Sequence, residues 1–326
     1  MEQERAHSPR QEDYGYDLDR IYASLVGVRT AIPDDAYTAD LLGTERSGNG
    51  VVIREDGLVL TIGYLVTEAE QVWITDNFGR AVAGHVMGYD QETGFGLIQA
   101  LGHLDLPALP LGDSDVLNEG DSVVIGGLGG RKGAIAAEVM AIREFAGYWE
   151  YLLDKAIFTA PAHPNWGGCG LIGPDGSLLG IGSLMVQQTG EDTAIDGNMV
   201  VPINLLKPIL EQLSTYGRVE KPSRPWLGLF GTEVQDQVVV AALSANGPAD
   251  EADIKVGDIV VAVDDEQVKS LAEFFRHVWS LGDAGVTVPL SLARNGEILS
   301  TNVRSIARDA LLKSPALHSG RCLYIS

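Results

Sequence analysis

A chain of 326 residues, 45% hydrophobic and with 39 glycines, is long and apolar enough to fill two packed cores. Its formal net charge of −22 argues against a nucleic-acid partner, because affinity for phosphates comes chiefly from Lys and Arg; the acidity fits a solubilising surface instead. Two cysteines, Cys169 and Cys322, supply neither a disulfide framework nor a zinc ligand set, no window approaches the roughly 18 apolar residues of a membrane span, and no cofactor or metal site is expected. The polar start, Met1-Glu2-Gln3-Glu4-Arg5-Ala6, lacks the basic and apolar segments of a secretory signal. A cytoplasmic location is therefore expected, with the periplasm as the reading only if the start codon is misassigned.

Residues 1–17 read as a disordered tail. Leu18, Ile21, Tyr22 and Leu25 then recur at helical spacing, with a strand beginning near 26–29. From Ser47 onward, short apolar runs alternate with turn signals at the spacing of an all-β barrel or sandwich. Strands are expected at 50–53, 58–61, 71–75, 81–87 and 96–99, then a proline-marked edge at 106–111, and further strands at 122–126, 135–142, 152–158 and 199–203. The glycine run 126–130 reads as a mobile loop, and 205–213 as a helix. Between the last strands lies Pro164-Asn165-Trp166-Gly167-Gly168-Cys169-Gly170, a loop offering backbone N–H groups, one thiol and one indole.

These residues carry a resemblance. Gly48-Asn49-Gly50-Val51-Val52 with Asp56-Gly57-Leu58 is similar to the strand pair that leads to the catalytic His in trypsin-like serine proteases of the HtrA/Deg type. Asp90-Gln91-Glu92-Thr93-Gly94-Phe95-Gly96 resembles the segment bearing the triad Asp, Leu111-Gly112-Asp113-Ser114 the linker between two barrels, and the glycine-rich loop the nucleophile loop. The resemblance spans most of residues 47–213 in the family's order and implies a chymotrypsin/trypsin-like double β-barrel.

The departures bear on function. Carried over by position, the family's His falls on Tyr64, its Asp on Gly94 and its nucleophilic Ser on Gly167. Tyrosine is a poor general base at neutral pH, and glycine neither attacks nor orients, so the triad logic fails. Backbone N–H groups of Asn165 and Gly167 are left as an oxyanion-like pocket. Read two positions later, Gly167-Gly168-Cys169-Gly170 resembles the nucleophile loop of viral chymotrypsin-like cysteine proteases, which would make Cys169 the nucleophile. Against that stand its register, its ordinary role as a small buried hydrophobe, and a shortage of bases: His163, His85 and His103 are the neighbours in sequence. Trp166 reads as packing.

A polar, proline-bearing linker at 214–225 precedes a second pattern. Trp226-Leu227-Gly228-Leu229, Gly247-Pro248-Ala249 and Val256-Gly257-Asp258-Ile259-Val260 resemble a bacterial protease-linked PDZ domain, a small α+β fold expected at 226–305 after a barrel domain at 18–213, with 306–326 as a tail. The resemblance implies a polypeptide ligand received by strand addition. Leu227, Gly228 and Leu229 would form the carboxylate turn, and Leu271 and Phe275, on a helix expected at 268–281, would floor the side-chain pocket. It also implies a homotrimer, with 18–28 as the contacting segment. Two functions stand: a non-cutting homologue that binds polypeptides as scaffold, adaptor or chaperone-like factor, and an endopeptidase with a rearranged site at Cys169.

Overall fold

The computed structural model describes residues 7–189 and 194–313. The fold is mostly β, two six-stranded closed barrels followed by a PDZ sheet. Packing starts at once. The His7 carbonyl accepts from Ala136 N at 2.9 Å, and the Tyr14 and Tyr16 rings, 5.4 Å apart, lie on the barrel core. The expected disorder of 1–17 is thereby corrected for 7–17, which the Tyr14 and Tyr16 rings and the His7–Ala136 hydrogen bond dock on the barrel; residues 1–6 fall outside the described ones.

Helix α1 (Leu18–Ala23) is capped by Asp17, whose carboxylate accepts from Asp19 N and Arg20 N at 3.0 and 3.3 Å. It buries Leu18, Ile21 and Tyr22, and the strand after it buries Leu25, Val26 and Val28. The apolar side chains of 18–28 are thus engaged within this chain rather than offered to another copy.

The first barrel comprises β1 (Leu25–Ala31), the short helix α2 (Ala39–Leu42), β2 (Glu45–Val52), β3 (Leu58–Ile62), β4 (Gln71–Thr75), β5 (Ala81–Tyr89) and β6 (Phe95–Ala100), closed in the order β1-β2-β3-β6-β5-β4. Strand β3 is buried along its whole length while β4 alternates, so one reads as a continuous apolar run and the other as a period of two. The second barrel closes as β10-β11-β12-β9-β8-β7 from β7 (Ser122–Gly126), β8 (Ala134–Gly147), β9 (Tyr151–Ala160), β10 (Gly170–Ile172), β11 (Leu178–Thr189) and β12 (Ala194–Pro202). One apolar core runs through both barrels.

Three expectations are corrected here. Residues 106–111 form no named strand; an isolated bridge joins Leu111 to Leu178. The glycine loop after β7 is pinned, because Asn49 Oδ1 accepts from Leu128 N, and Asn77 Oδ1 from Gly129 N and Gly130 N, at 2.7 to 3.0 Å. The helix expected at 205–213 becomes a 3-10 turn, Ile203–Leu205, followed by α3 (Leu210–Tyr216), since Pro208 has no N–H for a continuous ladder.

The PDZ sheet runs β13 (Leu229–Val234), β14 (Gln237–Leu243), β15 (Ile259–Val263), β17 (Thr287–Arg294), β18 (Glu297–Arg304), with β16 (Glu266–Gln267) beside β15 and α4 (Pro248–Glu251) between β14 and β15. Helix α5 (Leu271–Ser280) starts three residues later than the sequence suggests because Ser270 caps it, its Oγ accepting from Glu273 N at 3.1 Å. Its apolar face joins a core of its own. The stretch after β18 is anchored as well: Arg308 Nη1 donates to Trp149 O at 2.9 Å and Lys313 N to Glu68 Oε1 at 2.9 Å, which corrects the tail reading for 306–313. Cys322 lies outside the described residues.

Candidate functional site

The barrels bring the three triad-equivalent positions together. Gly63 N donates to Gly94 O at 2.6 Å, which sets Tyr64 beside the Asp90–Gly94 turn, and Asn49 N donates to Gly167 O at 2.7 Å, which docks the glycine-rich loop on β2. Tyrosine hydroxyls fill the space that side chains at both glycines would need. A Cβ built at Gly167 would lie 2.5 Å from the Tyr64 hydroxyl oxygen, and one at Gly94 2.8 Å from that of Tyr151. Tyr64 donates to Ser183 O at 3.0 Å and Tyr151 to Thr93 O at 2.6 Å. Burial raises the pKa of both phenols, so neither supplies a phenolate at neutral pH. Gly94 sits at φ +80°, in the left-handed region that an aspartate enters at a cost.

The loop itself is tied shut. His163, 3% exposed, accepts from Asn165 N at Nδ1 (3.1 Å) while Nε2 faces Gly133 O at 3.0 Å. That pattern assigns the neutral tautomer with its proton on Nε2, and burial lowers the ring's pKa accordingly. The expected oxyanion-like pair is corrected at Asn165, whose N–H is engaged by the imidazole. Gly167 instead presents its carbonyl to Asn49, which also sends Nδ2 to Asn165 O at 2.7 Å. His85 lies on β5 and His103 in the exposed stretch after β6. Trp166 is half-buried.

Cys169 is fully buried, and burial pushes its thiol up to about 12. Its Sγ packs against Gly182, inside a cluster with Ile125, Leu171 and Leu179. Nucleophilic cysteines need a stabilised, accessible thiolate, and this environment gives the opposite. Among the described residues no three His, Cys, Asp or Glu side chains gather to hold a metal ion, and no helix is long and apolar enough to cross a membrane.

In the PDZ domain, β13 is one edge of its sheet, β18 being the other, and lies against α5. Leu227, Leu229 and Phe275 are each at most 1% exposed, so they belong to the core; Leu271 borders a cleft of about 780 Å³ shared with β8 and β11 of the second barrel. What the turn presents outward is backbone, with Gly228 at φ +70°. Leu227 N donates to Glu150 Oε1 at 3.3 Å. Glu150 stands at the tip of the β8–β9 hairpin, half-buried, and burial pushes its pKa up to about 8 against the opposing effect of Arg308. Sequence reasoning did not single out Glu150, Tyr151 or Asn49.

Residues 48–181 match the trypsin-like peptidase domain family, and residues 225–304 the PDZ domain family. A probable periplasmic serine endoprotease DegP-like from Halomonas elongata is 27% identical over 263 residues, covering 77% of this chain and 54% of its own length. The periplasmic pH-dependent serine endoprotease DegQ of Escherichia coli is 27% identical over 298 residues, covering 84% and 63%. The chain spans about half the length of the first of these relatives. Among solved structures, the HtrA-type protease AlgW with decapeptide superposes at a TM-score of 0.52 with 17% identity, over 92% of this chain and all (100%) of that one. The serine endoprotease from Yersinia pestis gives 0.50 with 23% identity, over 90% and 98%. The periplasmic relatives overturn the cytoplasmic expectation and point to the periplasm; a polar start is no guide where the chain covers so much less than its relatives. The chain thus carries a trypsin-like peptidase domain followed by a PDZ domain, on the paired-barrel fold, and is similar to serine endoproteases of the HtrA type.

Proposed function

We propose that this chain is a polypeptide-binding HtrA-type homologue without protease turnover, acting as a scaffold, adaptor or chaperone-like factor. The observation that carries the reading is the pairing of each missing side chain with a buried tyrosine: Tyr64 against Gly167, Tyr151 against Gly94. A general base, an orienting carboxylate and a nucleophile are all replaced, and loss of such a unit costs on the order of a million-fold in turnover. Binding is served by the PDZ groove. The edge of β13 accepts an added strand, Leu227 and Gly228 offer N–H groups to a terminal carboxylate, Leu271 borders the side-chain pocket, and Leu229 and Phe275 hold it from within. The shared cleft beside β8 and β11 gives the rest of the ligand a path along the barrel.

The test is incubation of purified protein with a fluorescently labelled unfolded protein, monitoring cleavage and binding together. The expected result is binding without turnover. Steady cleavage would refute the reading, and if Cys169→Ala abolished it, the working-endopeptidase alternative at Cys169 would stand in its place.

A further inference from the structure

The carboxylate turn of the PDZ domain already holds a carboxyl group from the same chain. We infer that Glu150 is an internal ligand of this turn, so that the β8–β9 hairpin and a polypeptide C-terminus ending in an apolar residue compete for one seat. The inference rests on the peptide-binding reading proposed above and goes on to name what guards the groove.

Four independent contacts carry it. The Glu150 carboxyl accepts from the N–H group of Leu227 at 3.3 Å, a donor that a terminal carboxylate would use. Behind it, Leu152 and Ala146 of the hairpin pack against the PDZ core, as a ligand's apolar side chain would. Tyr148 sets its ring edge-on to Phe230 of β13, with centroids 6.4 Å apart. Arg276 on α5 pairs with Glu144 and Asp154, one on each arm of the hairpin, while Arg308 donates to Trp149 O at 2.9 Å. A ligand of this groove must dislodge all of these.

The backbone of the hairpin adds an argument of a different kind. Gly147 pairs with Tyr151 across a three-residue loop whose last member, Glu150, has φ +61°. Three-residue hairpin loops favour Gly or Asn at that left-handed corner. A glutamate there holds a strained backbone, and retained strain of this sort points to a functional constraint on the side chain. Here the strain aims the carboxyl at the turn.

Competition has a calculable signature, because a hairpin seated for nine-tenths of the time lowers the apparent affinity of a competing peptide about tenfold. The probe is a fluorescein-labelled decapeptide ending in Leu with a free carboxylate, beside the same peptide amidated at its C-terminus. Its anisotropy is titrated with the full chain and with Glu150→Ala. Glu150→Gly serves as a second variant because glycine relaxes the left-handed corner, so a folding defect in one is not mistaken for an effect on the seat. The expected result is that both variants bind the free acid about tenfold more tightly than the parent, with the amide weak throughout. Equal affinities for parent and variants would overturn the internal ligand while leaving the groove a peptide site. Binding of the amide as tightly as the acid would overturn the carboxylate chemistry, and no binding of the free acid to any of the three proteins would overturn the peptide-binding reading itself.

Discussion

Replacing Gly94 by Ala tests whether the cleft is held shut as described. The cost has two parts. At φ +80° an L-residue pays roughly 1–2 kcal/mol that glycine does not. The new Cβ would also lie 2.8 Å from the Tyr151 hydroxyl oxygen and 3.3 Å from two ring carbons. That hydroxyl is not free to swing, since it donates to Thr93 O at 2.6 Å and its ring stacks on Trp149 with centroids 5.6 Å apart. Giving up the bond in a buried site adds roughly 1–2 kcal/mol, so Gly94→Ala is expected to destabilise by about 2–4 kcal/mol in all. Tyr151→Phe removes the obstructing atom. In that background Gly94→Ala should cost only the backbone part, which makes the coupling energy of the double-mutant cycle about 1–2 kcal/mol. Urea unfolding of the four proteins, followed by tryptophan fluorescence, measures it. A Gly94→Ala cost below about 0.5 kcal/mol, or additivity within that margin, would refute the argument that Tyr151 occupies the side-chain space at this position.

Three further outcomes are expected. In a Cys322→Ser background, Cys169 should resist iodoacetamide at pH 7.5 in the folded protein and react on unfolding, as a thiol raised to about 12 and without exposure must; rapid alkylation would revive it as a nucleophile. His163 is neutral in the fold and its pKa is lowered by burial, so the unfolded chain binds the extra proton: stability should fall as pH drops below the free-histidine value near 6.5, and His163→Gln should flatten that slope in urea titrations between pH 5 and 7. Asn49→Ala strips hydrogen bonds from Asn165 O, Gly167 O and Leu128 N at once, and should lower stability by about 3 kcal/mol while making the 127–133 loop a site of limited proteolysis at Arg131 or Lys132.

Much of the architecture was legible because its signals are local. Alternation placed β4 at Gln71–Thr75 and β7 at Ser122–Gly126. The positions Tyr64, Gly94 and Gly167 came from the family resemblance and not from any local signal. What lay beyond the sequence was every partner supplied from a distance. Nothing in Asp90 to Gly94 announces that Tyr151 will fill the vacated space, and nothing in Leu227-Gly228 that Glu150 will sit on it. His163 looked like a candidate base because spacing shows only that it is near the loop, whereas burial and the Asn165 N–H decide its role. The start of α3 was misjudged for a local reason in plain view, Pro208.

These distant partners couple positions 64, 94 and 167 to one another. Tyr64, through its hydroxyl, takes the space a side chain at Gly167 would need. Tyr151 takes the space at Gly94, and its neighbour in the chain, Glu150, takes the carboxylate turn of the PDZ domain. Residues 150 and 151 thus connect the barrel cleft to the groove through one hairpin tip. A peptide that displaced Glu150 would pull on the residue whose hydroxyl is bonded to Thr93 O, one position before Gly94. Placing His, Asp and Ser at 64, 94 and 167 would therefore meet two obstacles, because Tyr151 would oppose the aspartate and His163 would still hold the Asn165 N–H.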